Sequence, residues 1–521
     1  MSAYRLAVIA SLISPAFAGT LSVRILDENG APAPARVYLT DSSGKALFAP
    51  GSIVYDRVRA EASEQNFVPP QGAFRMELSA GTYALVVERG KEYLPVRERV
   101  EVPAQGDVER IVRLSRWVRM APLGWYSADM HPHRPLSDMP ALMEAEDLNA
   151  ALPITRWRRT TTTIEQDRML DAFLEKSDAA GVYRVGKERW FTVLNEELEP
   201  RSSALLVSRL GRTGTSLEYP LMDYGRAARS RGALVDSEKA TSLELPAIAA
   251  LEGCDFVGLA NNHFWRTACY EGGWGSWPDL LPRAYPRTCA GFGTAGSDLY
   301  YGLLNMGFPL KLSAGSASGV HPVPLGWSRI YVHVTGAFTP ERWFEALKAG
   351  RSFVTTGPML LLLVDGHEPG DDFGGSPRQV EARVRMLSPK RADAVEVVVN
   401  GRVNRVPLAA VPGRNSEYSG TLRVRLNTSA WIAARWVEGR DIAHTSPVYY
   451  RVAGKPIPVP REQAAYFAGR VERLIAVVTS GKSESGEPAG IVSEPAEVKR
   501  RTMERLNQAL AVYRAKLSSA Q

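Results

Sequence analysis

The apolar periodicity of this chain changes twice, and that change limits the folds open to it. Thr20-Leu21-Ser22-Val23-Arg24-Ile25-Leu26 alternates at period two, Glu28-Asn29-Gly30 supplies a turn, and 35–39, 81–88 and 97–102 alternate again. Short alternating runs punctuated by Asn-Gly, Gly and Pro predict a small β-sandwich over 19–117. From 118 to 365 short apolar runs alternate with helical stretches, the pattern of an α/β core. Helices are expected at 166–180, 221–231 and 340–349, the last with Thr339 as N-cap, Pro340 at N1 and Gly350 beyond its end. Buried strands are expected at 233–235 and 256–260. Over 366–456 period two returns (380–386, 394–399, the turn Asn400-Gly401, 420–426, 431–437), predicting a second sandwich. Residues 457–521 read as a helical hairpin. One helix spans 461–479 and a Ser/Gly/Glu-rich link spans 480–490. The second helix carries Met503, Leu506, Leu510, Tyr513 and Leu517 on one stripe, with Glu494 and Glu497 in its first turn and Arg514 and Lys516 in its last. This hairpin suits packing on the body of the chain, or a dimerisation arm, so a homodimer is left open.

The first residues carry a separate message. A basic start, an apolar run at 6–13 and Ala16-Phe17-Ala18 have the form of a secretory signal over 1–18, cut after Ala18. A secreted or periplasmic location is therefore expected. No later run approaches the ~18 apolar residues of a membrane span. Three cysteines, at 254, 269 and 289, exclude a disulfide scaffold or Cys-rich zinc module. In an oxidising compartment Cys269 and Cys289, close in sequence, are the pair expected to bond, leaving Cys254 buried. The 63 Lys+Arg against 56 Asp+Glu leave a net charge of +7, too mild over 521 residues to argue for nucleic acid.

The residues best suited to chemistry lie in Gly124-Trp125-Tyr126-Ser127-Ala128-Asp129-Met130-His131-Pro132-His133-Arg134. On an extended segment Asp129, His131 and His133 share a face. Pro132 cannot donate to a central ladder, so the chain should be leaving its strand there. Two imidazoles held at a strand end suit a divalent metal. Other expected strands also end in polar groups: Glu196 and Glu197 after 190–194, Glu238 after 233–235, and Asn261-Asn262-His263 after 256–260. Seven of the eleven tryptophans fall between 125 and 327, a density that suits a cleft wall or a Trp-rich core. Gly291-Phe292-Gly293-Thr294-Ala295-Gly296 spells a dinucleotide fingerprint, but no strand precedes it, so a loop before a helix at 297–305 is expected. Gly315-Ser316-Ala317-Ser318-Gly319 fails the nucleophile-elbow rule because its centre is Ala317.

Together these segments resemble the CehA/McbA family of metallohydrolases, within the wider PHP (polymerase and histidinol phosphatase) superfamily. The resemblance rests on 124–134, Val193-Leu194-Asn195-Glu196-Glu197, Gly258-Leu259-Ala260-Asn261-Asn262-His263, 313–320 with 322–331, 349–358, and His444-Thr445-Ser446-Pro447-Val448-Tyr449. These lie in the family's order over about 120–450. It implies a PHP-like distorted (β/α) barrel over 118–365, flanked by N- and C-terminal β-sandwiches. The first sandwich would be of the carboxypeptidase-regulatory or transthyretin-like type. It implies metals at the strand C-termini and hydrolysis of ester, carbamate or phosphoester bonds by a metal-bound hydroxide. His131 and His133 match the metal-binding His-x-His, and His263 matches a later motif. With Glu196 these form the expected ligand set.

Two departures reduce that expectation. Pro153-Ile154-Thr155-Arg156-Trp157 stands where the superfamily has Thr-Asp-His, and 315–319 replaces a late Asp-x-His. One divalent metal (Zn, Mn or Fe), or none, is expected rather than three. Glu238 is the expected proton carrier. Arg134, Arg156 or Arg266 would neutralise an anionic substrate, and Asn261, Ser316 and Ser318 would contact it. The substrate would be a small-molecule or polymer-derived ester or phosphoester. Two alternatives follow from the same residues: a cell-envelope binding protein that kept the cleft and lost its metals, and an adhesion protein working through its sandwiches.

Overall fold

The computed structural model describes residues 18–158, 164–199, 203–211, 220–270, 281–481 and 495–520. The segment expected to be a signal, apart from Ala18, most of the link at 480–490 and Glu494 lie outside them.

At the N-terminus, strand Ala18–Leu26 pairs in parallel with Asp107–Arg113 and antiparallel with Ala73–Ser79. A second sheet holds Ile53–Val58, Ser63–Val68, Arg36–Thr40, Gly81–Glu88 and Val96–Val102 in that spatial order. The period-two sequence turns Leu21, Val23, Ile25, Val37, Leu85 and Val87 into one apolar cluster between the sheets.

The middle of the chain builds two further sheets. One has seven strands, ordered Ile164–Gln166, Arg156–Arg158, Asn195–Leu198, Leu205–Ser208, Leu234–Ser237, Phe256–Ala260, Lys311–Ala314. The other runs Val182–Arg184, Trp190–Thr192, Ala150–Ala151, Trp125–Asp129, Arg329–His333, Ser352–Thr355 and continues into C-terminal strands. Among the described residues the strand pairing divides this region into these two sheets. They meet at a seam where Met130 N donates to Ala314 O at 3.0 Å. The metal-binding candidates sit on this seam.

The second sheet crosses the boundary read at 365/366. Ser352–Thr355 pairs antiparallel with Asp441–Thr445, which pairs with Ala430–Glu438. The C-terminal strands pack over a smaller sheet containing Met359–Val364, Arg378–Leu387 and Glu417–Leu426. Helices Arg461–Ser480 and Ala496–Ser518 pack on the core rather than projecting from it. Leu506, Ala509, Leu510 and Tyr513 are buried, the Tyr513 hydroxyl donates to Pro246 O at 2.8 Å, and Arg501 and Arg505 both pair with Asp223.

Two local expectations are corrected. The helix read at 166–180 is only Leu170–Glu175, with strands Ile164–Gln166 and Val182–Arg184 on either side. Asp178 ends it: its side chain accepts from Ala180 N and Val182 N, both at 2.9 Å, the side-chain turn that competes with helix. The glycine-rich 291–296 segment is not a loop but the first turns of helix Cys289–Asn305, because Thr288 caps it by accepting from Gly291 N. The capped helix Pro340–Ala349 and strand Phe256–Ala260 are as read. Cys269 and Cys289 form a disulfide, and Cys254 is a buried free thiol.

Candidate metal centre

Strand Trp125–Asp129 delivers His131 and His133 just past its end. A loop holds them there. Ala317 N donates to His131 O at 2.6 Å, and His133 N to Ser318 O at 2.7 Å. This contact explains the glycines of 315–319: a Cβ on Gly315 would stand 2.3 Å from His131 Cβ, and one on Gly319 2.3 Å from His133 O. Asp129 fastens the same corner. Its carboxylate accepts from His131 N at 3.0 Å, Ser316 N at 3.0 Å, the Ser316 hydroxyl, and Gly326 N at 2.8 Å. Asp129 therefore anchors backbone and does not join the imidazoles.

The third group comes from the other sheet. Strand Asn195–Leu198 lies parallel to Arg156–Arg158, with Glu197 opposite Trp157. Neighbouring residues on a strand point to opposite faces. Glu197 turns to the histidines, while Glu196 turns away to Arg158 and the Tyr224 hydroxyl. Glu197, rather than the expected Glu196, is thus the carboxylate that faces the histidines. The doublet signalled the strand end but not which face it would present.

Three donor atoms converge. His131 Nε2 and His133 Nε2 are 3.0 Å apart, His131 Nε2 and Glu197 Oε2 3.3 Å, and His133 Nε2 and Glu197 Oε2 2.9 Å. Ligands about 2.0–2.2 Å from one ion lie roughly 3 Å from each other, and two imidazoles with a carboxylate leave further positions open. The donor set fits one divalent cation. All three side chains are buried, with 3%, 8% and 3% exposure, so their electrostatics are strong. Burial disfavours the His131 imidazolium, but the Glu197 charge and hydrogen bond, with Glu238, outweigh it and push His131 up to about 9. Burial would raise Glu197, yet the two histidines hold it well below the usual carboxylate range.

Glu238 faces the opposite edge of the His131 ring, 3.6 Å from Nδ1, and also contacts Lys239 and Asn262. His263 does not enter the donor triangle. Its Nδ1 is buried without a hydrogen bond, its ring packs on Tyr270 and Phe292, and His321 stands 6.2 Å away. Burial, Lys239 and His321 depress its pKa well below normal, so it is neutral. Asn261 braces its own turn, accepting from His263 N at 3.0 Å. Ser316 is spent on Asp129, and its hydroxyl also accepts from Ser318 N.

The arginines face elsewhere. Arg134 stacks on Tyr55, 4.4 Å from the ring centre. Arg266 pairs with Glu64 at 2.9 Å and covers Tyr38. Arg156 lies on the strand beside Glu196 and is half-buried. Two residues missed in the sequence border the centre: Trp157, whose ring meets that of His133 at 4.8 Å, and His321, whose carbonyl accepts the Tyr55 hydroxyl from the N-terminal sheet.

No family model matches the chain, and no curated protein matches it. Among solved structures it is similar to a two-domain protein from Bacteroides vulgatus containing a predicted PHP-like metal-dependent phosphoesterase. Identity is 9%, with 63% of this chain and 94% of that chain covered and a TM-score of 0.31. It is also similar to the Bacillus anthracis TIE protein, at 13% identity over 23% of this chain and 20% of that one, with a TM-score of 0.14. Neither overlap is close enough to assign a fold or an activity. No helix among the described residues is long and apolar enough to cross a membrane.

Proposed function

We propose that this chain is an exported metal-dependent hydrolase of the PHP-like kind, acting on ester, carbamate or phosphoester bonds. The observation that carries this reading is the buried triangle of His131 Nε2, His133 Nε2 and Glu197 Oε2. A divalent cation there would act as a Lewis acid on the scissile bond and make the attacking water more acidic. The chain's own residues prepare for it. Both histidines must offer Nε2 as a lone pair, which requires the proton on Nδ1. Glu238, at the Nδ1 edge of His131, favours that tautomer, so its role is positioning rather than the proton carriage expected from sequence. Asp129 and the 315–319 loop fix the backbone carrying both rings. Trp157 packs its ring against the His133 side. The triangle of His131, His133 and Glu197 offers a place for a divalent metal.

A second reading, a binding protein that kept the cleft without chemistry, is favoured by the arginines: Arg134 and Arg266 are engaged away from the triangle. One experiment separates the two. Metal content is measured on the purified chain and on a His131→Ala/His133→Ala double variant, followed by an ester and phosphoester panel. Near one Zn, Mn or Fe per wild-type chain, none in the variant, and turnover lost with the metal support the hydrolase. No metal in wild type after incubation with each ion overturns it.

A further inference from the structure

A cavity of about 810 Å3 opens where the N-terminal strands, the core and the C-terminal sandwich meet. None of His131, His133, Glu197 or Glu238 lines it. Its volume lies in the range of small-molecule sites, and its charge is uneven. Eight Lys and Arg side chains line it against four Asp and Glu. Three of those carboxylates are committed: Glu88 and Glu146 to Arg36, and Asp441 to Lys390 at 3.5 Å. Glu438 is exposed at the rim.

Of the lining cations, Arg36, Arg97, Arg266, Lys390 and Arg391 pair with carboxylates, whereas Lys91 and Arg329 make no direct ion pair among the described residues. The Lys91 ammonium lies 3.1 Å from the centre of the Trp327 ring and donates to Thr356 O at 2.6 Å, a neutral acceptor. Arg329 is fully buried at the back of the cavity. Its Nε and Nη2 go to the Gly326 and Glu146 carbonyls, and Nη1 makes no hydrogen bond. Burying cations without compensation is costly, so a built cluster of this kind is what an anion would satisfy.

We propose that this cavity binds a small molecule carrying an oxyanion, the carboxylate of a sugar acid or the phosphate of a sugar phosphate, with Lys91 and Arg329 as its charge partners and Trp327 beside them. Charge-assisted bonds from Lys and Arg select oxyanions over neutral sugars of the same size. The state of Lys91 agrees: burial, then Arg329, push its pKa well below the usual range, with Asp441 only partly offsetting them. A bound oxyanion would restore its charge. This site is independent of the metal centre, and its ligand need not be the substrate hydrolysed there.

Calorimetric titration of the full chain with glucuronate, glucose 6-phosphate and glucose tests the assignment. The expected result is saturable binding of one or both anions and none of glucose, with affinity reduced at least tenfold in Lys91→Met and unchanged in His131→Ala/His133→Ala. The better-bound anion identifies the source of the oxyanion. If Lys91→Met fails to fold, acetylation of the wild-type chain followed by peptide mapping decides: the preferred anion should slow modification of Lys91 several-fold, and glucose should not. Absence of saturable anion binding, equal affinity in Lys91→Met, or acetylation of Lys91 unaffected by the anions overturns the proposal.

Discussion

His131 Nε2 and Glu197 Oε2 stand 3.3 Å apart across 66 residues of sequence. They belong to different sheets, one at the end of Trp125–Asp129 and the other on Asn195–Leu198. The seam between the sheets makes the meeting possible, and strand alternation decides that Glu197 rather than Glu196 takes part in it. Glu197→Gln keeps the shape but weakens one donor, so metal affinity should fall at least about tenfold and metal content after dialysis should drop. Glu196→Gln, on the opposite face, should retain the metal. Elemental analysis of both variants checks this, and metal loss in Glu196→Gln with retention in Glu197→Gln would reverse the assignment.

The parts of the centre legible in sequence were local. His-x-His with an intervening proline marks a strand end wherever the strand pairs, and the helix capped by Thr339 and Gly350 announces itself from its own residues. The rest depended on tertiary pairing. The doublet at 196–197 offered two carboxylates, and only the register with Arg156–Arg158 selects one. Arg134 and Arg266 looked like substrate cations because sequence does not show Tyr55 or Glu64 beside them. The sheet crossing 365/366 was hidden for the same reason: Ser352–Thr355 finds its partner about ninety residues later. The loop at 315–319 read as a lost motif, yet its glycines have a steric purpose against the 131–133 backbone.

That steric purpose can be measured. A methyl group on Gly315 would lie 2.3 Å from His131 Cβ, with backbone on the same side and no flexible side chain to give way. Gly315→Ala should destabilise the chain by about 1–3 kcal/mol, the usual range for overpacking, and lower metal content by displacing His131. Thermal unfolding and elemental analysis together check it. An unchanged melting temperature with full metal would show that the loop is not clamped as described.

Asp236 gives a pH dependence whose sign is fixed. Burial, working against the Ser313 hydrogen bond and His131, pushes its carboxyl up to about 7. The unfolded chain releases that proton near pH 3.9. Between these values the native state holds a proton that the unfolded state has lost. Asp236 therefore favours folding below about pH 4, and that contribution declines as pH rises to about 7, then stays level. Asp236→Asn does not titrate. Its stability relative to wild type should rise by about 2–4 kcal/mol from pH 4 to 7 at about 1.4 kcal/mol per pH unit. Denaturant unfolding of both proteins at pH 4.5, 6 and 7.5 checks it, and a constant difference would mean that Asp236 is ionised throughout.

The disulfide ties the segment following His263 to the start of helix Cys289–Asn305, whose cap is Thr288. Closing a loop of 20 residues removes unfolded-state freedom worth roughly 3 kcal/mol in the loop-entropy picture. Thiol titration in denaturant should find one free thiol per chain, that of Cys254, rising to three after reduction. Cys269→Ser/Cys289→Ser should lower unfolding stability by about 2–4 kcal/mol. It should leave metal content intact, because His263 stands outside the triangle of His131, His133 and Glu197. Loss of the metal along with the disulfide would instead show that the His263 segment completes the centre. Three free thiols without reductant would show that the bond does not form in the protein as made.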